Sequence, residues 1–220
     1  MTVARTLLPA AIVAFVSLSP HLCMAQDETH ADLDRQVRQF LDSHRRQWRD
    51  MNVPAVDGQK LYDLVLEHGY TDALELGTST GHSGIWIAWA LAKTGGKLTT
   101  VEIDERRYRQ ALENFEAAGL SAYVDARLAD AHQLVYDISG PFDFMFIDAD
   151  KDWYQRYFEA LLPKLEVGGC FTAHNVSPSG RRGARGTRGF VQAVQNTPNV
   201  ETEFFLAGGG LSISYKRSEN

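Results

Sequence analysis

Three features are scarce or missing in this sequence, and each of them excludes a class of protein. Cysteine occurs twice in 220 residues, as Cys23 and Cys170, which is too few for a disulfide-stapled scaffold. A basic excess is missing: the formal charge is −6, which argues against a general nucleic-acid binder. The G-x-G-x-x-G fingerprint of dinucleotide sites is also missing, which disfavours a nicotinamide oxidoreductase.

An apolar run long enough to cross a membrane is lacking near the N-terminus. The run Leu7–Leu18 is shorter than the roughly 20 residues that span a bilayer. Arg5 precedes the run, and the segment "CMA" that follows it has small residues at Cys23 and Ala25. This layout is typical of a secretory signal peptide. We therefore predict a signal peptide over 1–25 with cleavage after Ala25 and export to the periplasm or medium, and an uncleaved membrane anchor remains the alternative. Cleavage would leave Cys170 as the sole cysteine, so no internal disulfide could form.

The remaining chain alternates between apolar runs of strand length and amphipathic segments of helix length. Strict alternation predicts an α/β fold, a mostly parallel sheet with helices on both faces. Two final runs, "VETEFFLAG" and "LSISYKR", flank "GGG" and are expected to pair antiparallel. A polar, helical extension over 26–46 is predicted to precede one domain over 47–217.

Several motifs fall where strands end, the place at which ligands bind in such sheets. The turn "ELGTSTGHSG" follows the first strand, and its Gly77 and Gly81 allow a tight turn. Glu102 ends the next strand about 20 residues on, where a carboxylate can accept ribose hydroxyls. Asp130, at a third strand end, could accept from an adenine amino group. Asp104 is the better helix N-cap, which leaves Glu102 for a ligand. A nucleoside site without a pyrophosphate loop suggests S-adenosylmethionine.

The order and spacing of six segments make the chain resemble the cation-dependent O-methyltransferase family of catechol and caffeoyl-coenzyme-A methyltransferases. The segments are "MNVPAVDGQ", "LELGTSTGHS", "TTVEID", "FIDADKDWY", "GGCFTAHNV" and "VETEFFLAGGGLSISYKR". They cover roughly Gln47 to Arg217. The resemblance implies a single Rossmann-like class I methyltransferase domain with seven strands, and an enzyme that methylates a hydroxyl of a small molecule, phenolic or catechol-like. It also leaves a homodimer open.

The resemblance also implies which residues bind the cofactor. Met51, Asn52 and Val53 would close over its methionine end, while Gly77 and Ser83 would contact its carboxylate and backbone. The cofactor-binding set is then Met51, Asn52, Val53, Glu75, Gly77, Ser79, Gly81, Ser83, Glu102, Asp130 and Asp148.

The segment "DADKD" would carry the chemistry. By the resemblance, Asp148 binds a divalent cation and Lys151 lies next to the acceptor hydroxyl, so the expected catalytic residues are Lys151 and Asp148. The family completes its metal site with Asp-Asn after the next strand, and this chain has His174 and Asn175 there. An imidazole disfavours magnesium and admits manganese, iron or zinc. A metal at Asp148, His174 and Asn175 and a metal-free site both remain open.

The neighbouring side chains have plainer interpretations. Asp152 is predicted to cap the helix "WYQRYF", and Asp150 to position the loop or to touch the cofactor side. Trp153 is the candidate for a wall of the acceptor pocket.

Because a leader predicts export, a non-catalytic nucleoside-binding protein of the cell envelope is the alternative function.

Overall fold

The computed structural model describes residues 20–49, 51–179 and 186–219, with side chains from residue 30 onward. Its elements alternate as the sequence predicts. The helices are α1 Pro20–Ser43, α2 Ala55–His68, α3 His82–Thr94, α4 Glu105–Ala117, α5 Ala131–Asp137, α6 Tyr154–Leu161 and α7 Thr187–Asn196; the strands are β1 Asp72–Leu76, β2 Lys97–Glu102, β3 Val124–Leu128, β4 Phe142–Ile147, β5 Leu165–His174, β6 Val200–Phe205 and β7 Leu211–Lys216.

The seven strands form one sheet in the order β3-β2-β1-β4-β5-β7-β6. The first five strands pair in parallel, and β7 runs antiparallel to both β5 and β6. The predicted parallel sheet and the predicted C-terminal hairpin are both confirmed. The strand order reverses between β1 and β4, which is the switch point at which open α/β sheets bind ligands.

Alternate residues of the central strands pack against opposite layers of helices. In β4, Phe144 and Phe146 face a core shared with α1, α2, α3 and α4. Met145 and Ile147 face a second core formed with α5, α6 and α7. Strands buried on both faces read as continuous apolar runs, which is why β4 appears in the sequence as "FDFMFI".

Two helix ends coincide with local sequence signals. Gly69 ends α2 in a left-handed conformation, with φ of 68°, and its N–H bonds back into the last turn. The Asp104 side chain accepts a hydrogen bond from the N–H of Arg107 and so caps α4.

The predicted N-terminal extension packs onto the domain through α1. Val37 and Phe40 are buried in the first core. Asp34 accepts hydrogen bonds from the indole of Trp89 at 2.7 Å and from Lys93 at 2.9 Å. Trp86 and Trp89 pack in the same core.

The predicted signal peptide mostly lies outside the described residues, since 1–19 are not among them. Helix α1 runs through Ala25 without a break. Within the described ranges, no helix is both long and apolar enough to cross a membrane. Export with cleavage after Ala25 therefore stays a prediction.

Candidate active site

A cleft of about 280 Å³ opens at the carboxyl ends of β1, β2, β3 and β4. Most of its wall comes from residues that follow those four strands. The predicted residues Met51, Gly77, Ser79, Glu102, Asp130 and Asp148 all line it. Asp150, which the sequence also singled out, lines it as well. The sequence did not single out the remaining lining residues, which are Val101, Ile103, Arg107, Ala129, Ala131, His132, Ala149 and Tyr157.

The glycine turn forms the floor of the cleft. Gly77 has φ of 98°, and its N–H donates to the Val101 carbonyl at 2.9 Å. A Cβ on Gly77 would lie 2.6 Å from the backbone oxygen of Asp148. A residue without a side chain is therefore required at position 77, where the ends of β1 and β4 approach each other.

Glu102 is held in a fixed orientation at the cleft wall. Its carboxylate accepts hydrogen bonds from three backbone N–H groups, those of Ser79 at 2.7 Å, Ile103 at 3.1 Å and Asp104 at 2.9 Å. Two carboxylate oxygens offer about four acceptor positions, so one position remains for a ligand hydroxyl. The arrangement suits an acceptor for ribose.

Asp130 and His132 form the end of the cleft beyond β3. The Asp130 side chain accepts from the N–H of His132 at 2.9 Å and caps α5. The His132 ring stacks on Trp153 at 3.9 Å between centroids, and its Nε2 lies 3.3 Å from an Asp150 oxygen. Trp153 itself, the predicted pocket wall, packs behind His132 under the guanidinium of Arg156.

The segment Met51–Val53 lies at one rim of the cleft, but of these three predicted contacts only Met51 lines it. Met51 is 70% exposed and has φ of 56°. The amide of Asn52 exchanges hydrogen bonds with the hydroxyl of Thr80 in the glycine turn. Val53 is buried, and its carbonyl lies 2.9 Å from Nδ1 of His82. The rim is therefore tied to the turn by its second and third residues.

His82 is the buried residue that holds this rim, and its charge state should affect stability. Burial lowers the pKa of His82 from 6.5 to about 4, so the ring is neutral at pH 7. Trp86 donates to its Nε2 at 3.2 Å. Since the unfolded chain takes up a proton near pH 6.5 and the folded chain only near 4, acidification between those values should lower the free energy of unfolding by up to about 3 kcal/mol.

Urea unfolding of the wild type and of His82→Asn at pH 7.5, 5.5 and 4.5 measures this contribution. Glu75 and His174 also titrate, but they are present in both proteins, so the difference in free energy isolates His82. The stability advantage of the wild type should be constant above pH 6.5 and shrink at pH 5.5 and 4.5. A difference that does not change with pH would contradict the prediction.

Glu75, Gly81 and Ser83, three predicted cofactor contacts, lie behind the cleft rather than on its wall. The carboxylate of Glu75 accepts hydrogen bonds from the hydroxyls of Ser83 and Thr100. Burial raises the pKa of Glu75 to about 7. Gly81 begins α3 with φ of 94°. In this structure these residues support the glycine turn from beneath.

Asp148 lines the other end of the cleft, and Lys151 meets it there from just outside. The ammonium of Lys151 forms an ion pair with Oδ1 of Asp148 and donates to the Tyr154 hydroxyl at 2.8 Å. Burial, followed by the charge of Asp148, raises the pKa of Tyr154 well above its usual value. Tyr154 is therefore a fixed neutral group, and Lys151 is the base candidate that stands beside the cleft.

The predicted cap of the following helix is wrong. Asp150, not Asp152, accepts a capping hydrogen bond, from the N–H of Asp152 at 3.0 Å. The chain first makes a 3-10 turn over Lys151–Trp153, so α6 begins only at Tyr154. The turn shifts the cap two residues toward the strand, and it directs Lys151 back toward Asp148.

His174 lies between two carboxylates. Its Nδ1 is 3.2 Å from Oδ2 of Asp148, and its Nε2 is 2.9 Å from Oδ2 of Asp57. Burial by itself lowers the pKa of His174, but its hydrogen bonds and charge interactions with Asp148 and Asp57 outweigh burial and raise the pKa to about 9. The ring is then an imidazolium at neutral pH and donates from both nitrogens.

The predicted metal ligands do not form a metal site in this arrangement. Both nitrogens of His174 face carboxylates, so neither offers a lone pair to a cation. Asp148 is also paired with Lys151. Asn175 follows in a left-handed conformation, with φ of 59°. In the part of the chain that the structure describes, no group of three His, Cys, Asp or Glu side chains could hold a metal ion. The donor set does not fit a bound cation.

The sheet order, the glycine turn, the acidic residue after β2 and the cleft at the switch point together define a class I S-adenosylmethionine-dependent methyltransferase fold. A family model described as O-methyltransferase matches residues 25–188. The chain therefore belongs to the O-methyltransferase family, and its S-adenosylmethionine cofactor follows from the same fold and neighbours. The family match begins earlier than the predicted domain start at 47 and includes most of α1.

Curated relatives and a solved structure agree with this family. A catechol O-methyltransferase of Niastella koreensis is 43% identical over 112 residues, which are 49% of this chain and 50% of that protein. Caffeoyl-CoA O-methyltransferase 2 of Eucalyptus globulus is 31% identical over 81% of this chain and 79% of that protein. An O-methyltransferase of Bacillus cereus in complex with SAH has a TM-score of 0.70 at 25% identity, covering 88% of this chain and 97% of that one.

Proposed function

We propose that the protein transfers the methyl group of S-adenosylmethionine to a phenolic hydroxyl of a catechol-like small molecule. The observation that carries this proposal is the position of Asp148. Asp148 lines the nucleoside cleft, and its carboxylate pairs with Lys151 just outside the cleft. A methyl donor bound in the cleft and the amine of Lys151 would then lie on opposite sides of Asp148. The names of the relatives, which specify catechol and caffeoyl-CoA, support an aromatic hydroxyl acceptor.

The reaction is a displacement at the methyl carbon. The acceptor oxygen forms a bond to the methyl group as the bond from that carbon to sulfur breaks, and the sulfonium becomes a neutral thioether. A phenol with a pKa near 10 is mostly protonated at pH 7, so its proton must leave during transfer. Lys151 takes that proton when its amine is neutral, having first released a proton to solvent, and the Asp148 carboxylate against the amine stabilises the ammonium that forms.

The rest of the site aligns the two reactants. The glycine turn and Glu102 fix the nucleoside, while the rim formed by Met51, Asn52 and Val53 covers the end that carries the sulfonium. An in-line displacement depends on holding the attacking oxygen and the methyl carbon in near-attack geometry. The backbone hydrogen bonds of Glu102 and the ion pair of Lys151 keep both sides rigid before any ligand binds.

Glu102→Gln tests the nucleoside side of the site. The amide keeps the shape but loses the charge that strengthens hydrogen bonds from ribose hydroxyls. We expect S-adenosylhomocysteine to bind more weakly by about 1.5–3 kcal/mol, measured by calorimetry. Glu105→Gln is the matched control because Glu105 is exposed on α4, where it pairs with Arg109. Equal affinities for both variants would remove the assignment of Glu102.

Methyl transfer itself is tested with S-adenosylmethionine and either catechol or caffeoyl-CoA, with methylated product detected by mass spectrometry. Product formation that requires the cofactor supports the proposal. Tight binding of S-adenosylhomocysteine without transfer to any aromatic hydroxyl would favour the non-catalytic alternative, a nucleoside-binding protein. The predictions of export and of a homodimer stay proposals beside this one.

A further inference from the structure

His174, Asp57 and Asp148 form an arrangement that we name the histidine clamp. The three residues come from three elements: Asp57 from the first turn of α2, His174 from the last position of β5, and Asp148 from the residue after β4. Strands β4 and β5 are parallel neighbours with Ile147 paired to Ala173, so the residues that follow them come together. The side chains of His174 and Asp57 are 5% and 0% exposed.

The turn between β6 and β7 packs against Asp57 and His174 of the clamp. The N–H of Gly209 donates to Oδ2 of Asp57 at 2.7 Å. A Cβ on Gly208 would overlap Oδ1 of Asp57, and one on Gly209 would overlap Nε2 of His174. Among the residues that the structure describes, Oδ1 of Asp57 has no hydrogen-bond partner, and the backbone of Gly208 lies beside it. On this side, only glycine backbone fits against the pair, so the turn packs directly on Asp57 and His174.

We propose that the histidine clamp takes the place of the divalent cation that the cation-dependent O-methyltransferases use, so that this methyltransferase works without a metal ion. The imidazole of His174 occupies the space between the carboxylates of Asp57 and Asp148, and its two nitrogens satisfy one oxygen of each. The inference rests on the proposed function for the reaction that it serves. The observation behind it is independent of that function, because it concerns which atoms fill the site.

The clamp also accounts for how the amine of Lys151 is held beside the cleft. Asp148 is shared: Oδ2 faces His174, and Oδ1 pairs with Lys151. The ring thus holds the carboxylate in the rotamer that keeps the amine next to the cleft. His174 and Asp57 are positioning residues in this arrangement, since they act on the acceptor through Asp148 and Lys151.

Metal content of the full-length protein is the first test. The purified protein is equilibrated with Mn²⁺, gel-filtered and assayed by inductively coupled plasma mass spectrometry, and Mn²⁺ binding is titrated by calorimetry. We expect far less than one Mn²⁺ per chain. About one Mn²⁺ per chain, lost in Asp148→Asn, would overturn the proposal whether or not methyl transfer has been detected.

His174→Asp is the matched variant because it restores the Asp-Asn pair that the resemblance implies. It also removes the imidazole, so we expect Mn²⁺ to bind at least about tenfold more tightly than to the wild type. A folded His174→Asp protein that gains no affinity would show that the imidazole is not what excludes the cation. Should the variant not fold, the wild-type metal content decides alone.

Activity provides a separate readout. With an acceptor that is methylated, EDTA should leave the wild-type rate unchanged within twofold, and added Mn²⁺ should not raise it. Loss of more than tenfold with EDTA, restored by Mn²⁺, would overturn the proposal. Failure of the proposed function looks different, because no product would then form with EDTA or with metal while the binding results above would stand.

Discussion

Lys151→Met is expected to reduce turnover by roughly 10²–10⁴-fold while it leaves the affinity for S-adenosylhomocysteine nearly unchanged. The size of the loss is that of a general base, since methionine keeps the length of the side chain but cannot take a proton. Lys151 does not line the nucleoside cleft, so the cofactor should bind as before. The measurements are steady-state methyl transfer with an identified acceptor and calorimetric titration of S-adenosylhomocysteine.

Lys93→Met is a closely matched control. Lys93 also pairs with a carboxylate, that of Asp34, and the exposed fractions of the two lysine side chains are 19% and 20%. The Lys93 pair lies between α1 and α3, away from the cleft. The control should lose a similar ion pair without losing turnover. Near-normal turnover in Lys151→Met would mean that the family mechanism does not carry over to this protein.

The fold could be predicted because each of its elements leaves a local signal. The strands buried on both faces appear as short apolar runs, and the helices between them have their own start and stop residues, such as Asp104 and Gly69. Parallel strands place their carboxyl ends at one edge of the sheet. The polar residues that follow them, Glu102, Asp130 and Asp148, therefore had to gather there.

The histidine clamp could not be predicted, because its contacts carry no periodic signal. Asp57 and His174 are 117 residues apart in the chain. In the sequence, Asp57 is one polar residue near the start of a helix, and nothing local shows that it is fully buried. Three consecutive glycines in the β6–β7 turn, Gly208, Gly209 and Gly210, were a partial signal, because a turn needs fewer than three. A side chain on Gly208 or Gly209 would overlap the clamp, which explains the additional glycines.

The cap of α6 shows how a local rule fails by a small shift. Asp152 stands before a helical pattern and satisfies the usual preference for an N-cap. The 3-10 turn over Lys151–Trp153 moves the capping role to Asp150. Tertiary contacts favour that turn, because it lets Lys151 reach both Asp148 and the hydroxyl of Tyr154.

Gly77→Ala is expected to destabilise the protein by about 3 kcal/mol and to weaken cofactor binding. About 1–2 kcal/mol comes from the left-handed backbone that an L-residue must adopt there. The remainder comes from the clash of the new Cβ with the Asp148 backbone, 2.6 Å away, at a scale typical of overpacking. Since Gly77 and Asp148 both line the cleft, a displacement there also changes its shape.

Gly95→Ala separates the two contributions. Gly95 ends α3 with φ of 80°, close to that of Gly77, and a Cβ built on it meets nothing within 4 Å. This control therefore has the backbone strain without the clash and should cost about 1–2 kcal/mol, with cofactor affinity unchanged. Urea unfolding and calorimetry measure both effects. Equal losses of stability in the two variants would show that the approach of β1 to the end of β4 can relax, so that the glycine serves the turn alone.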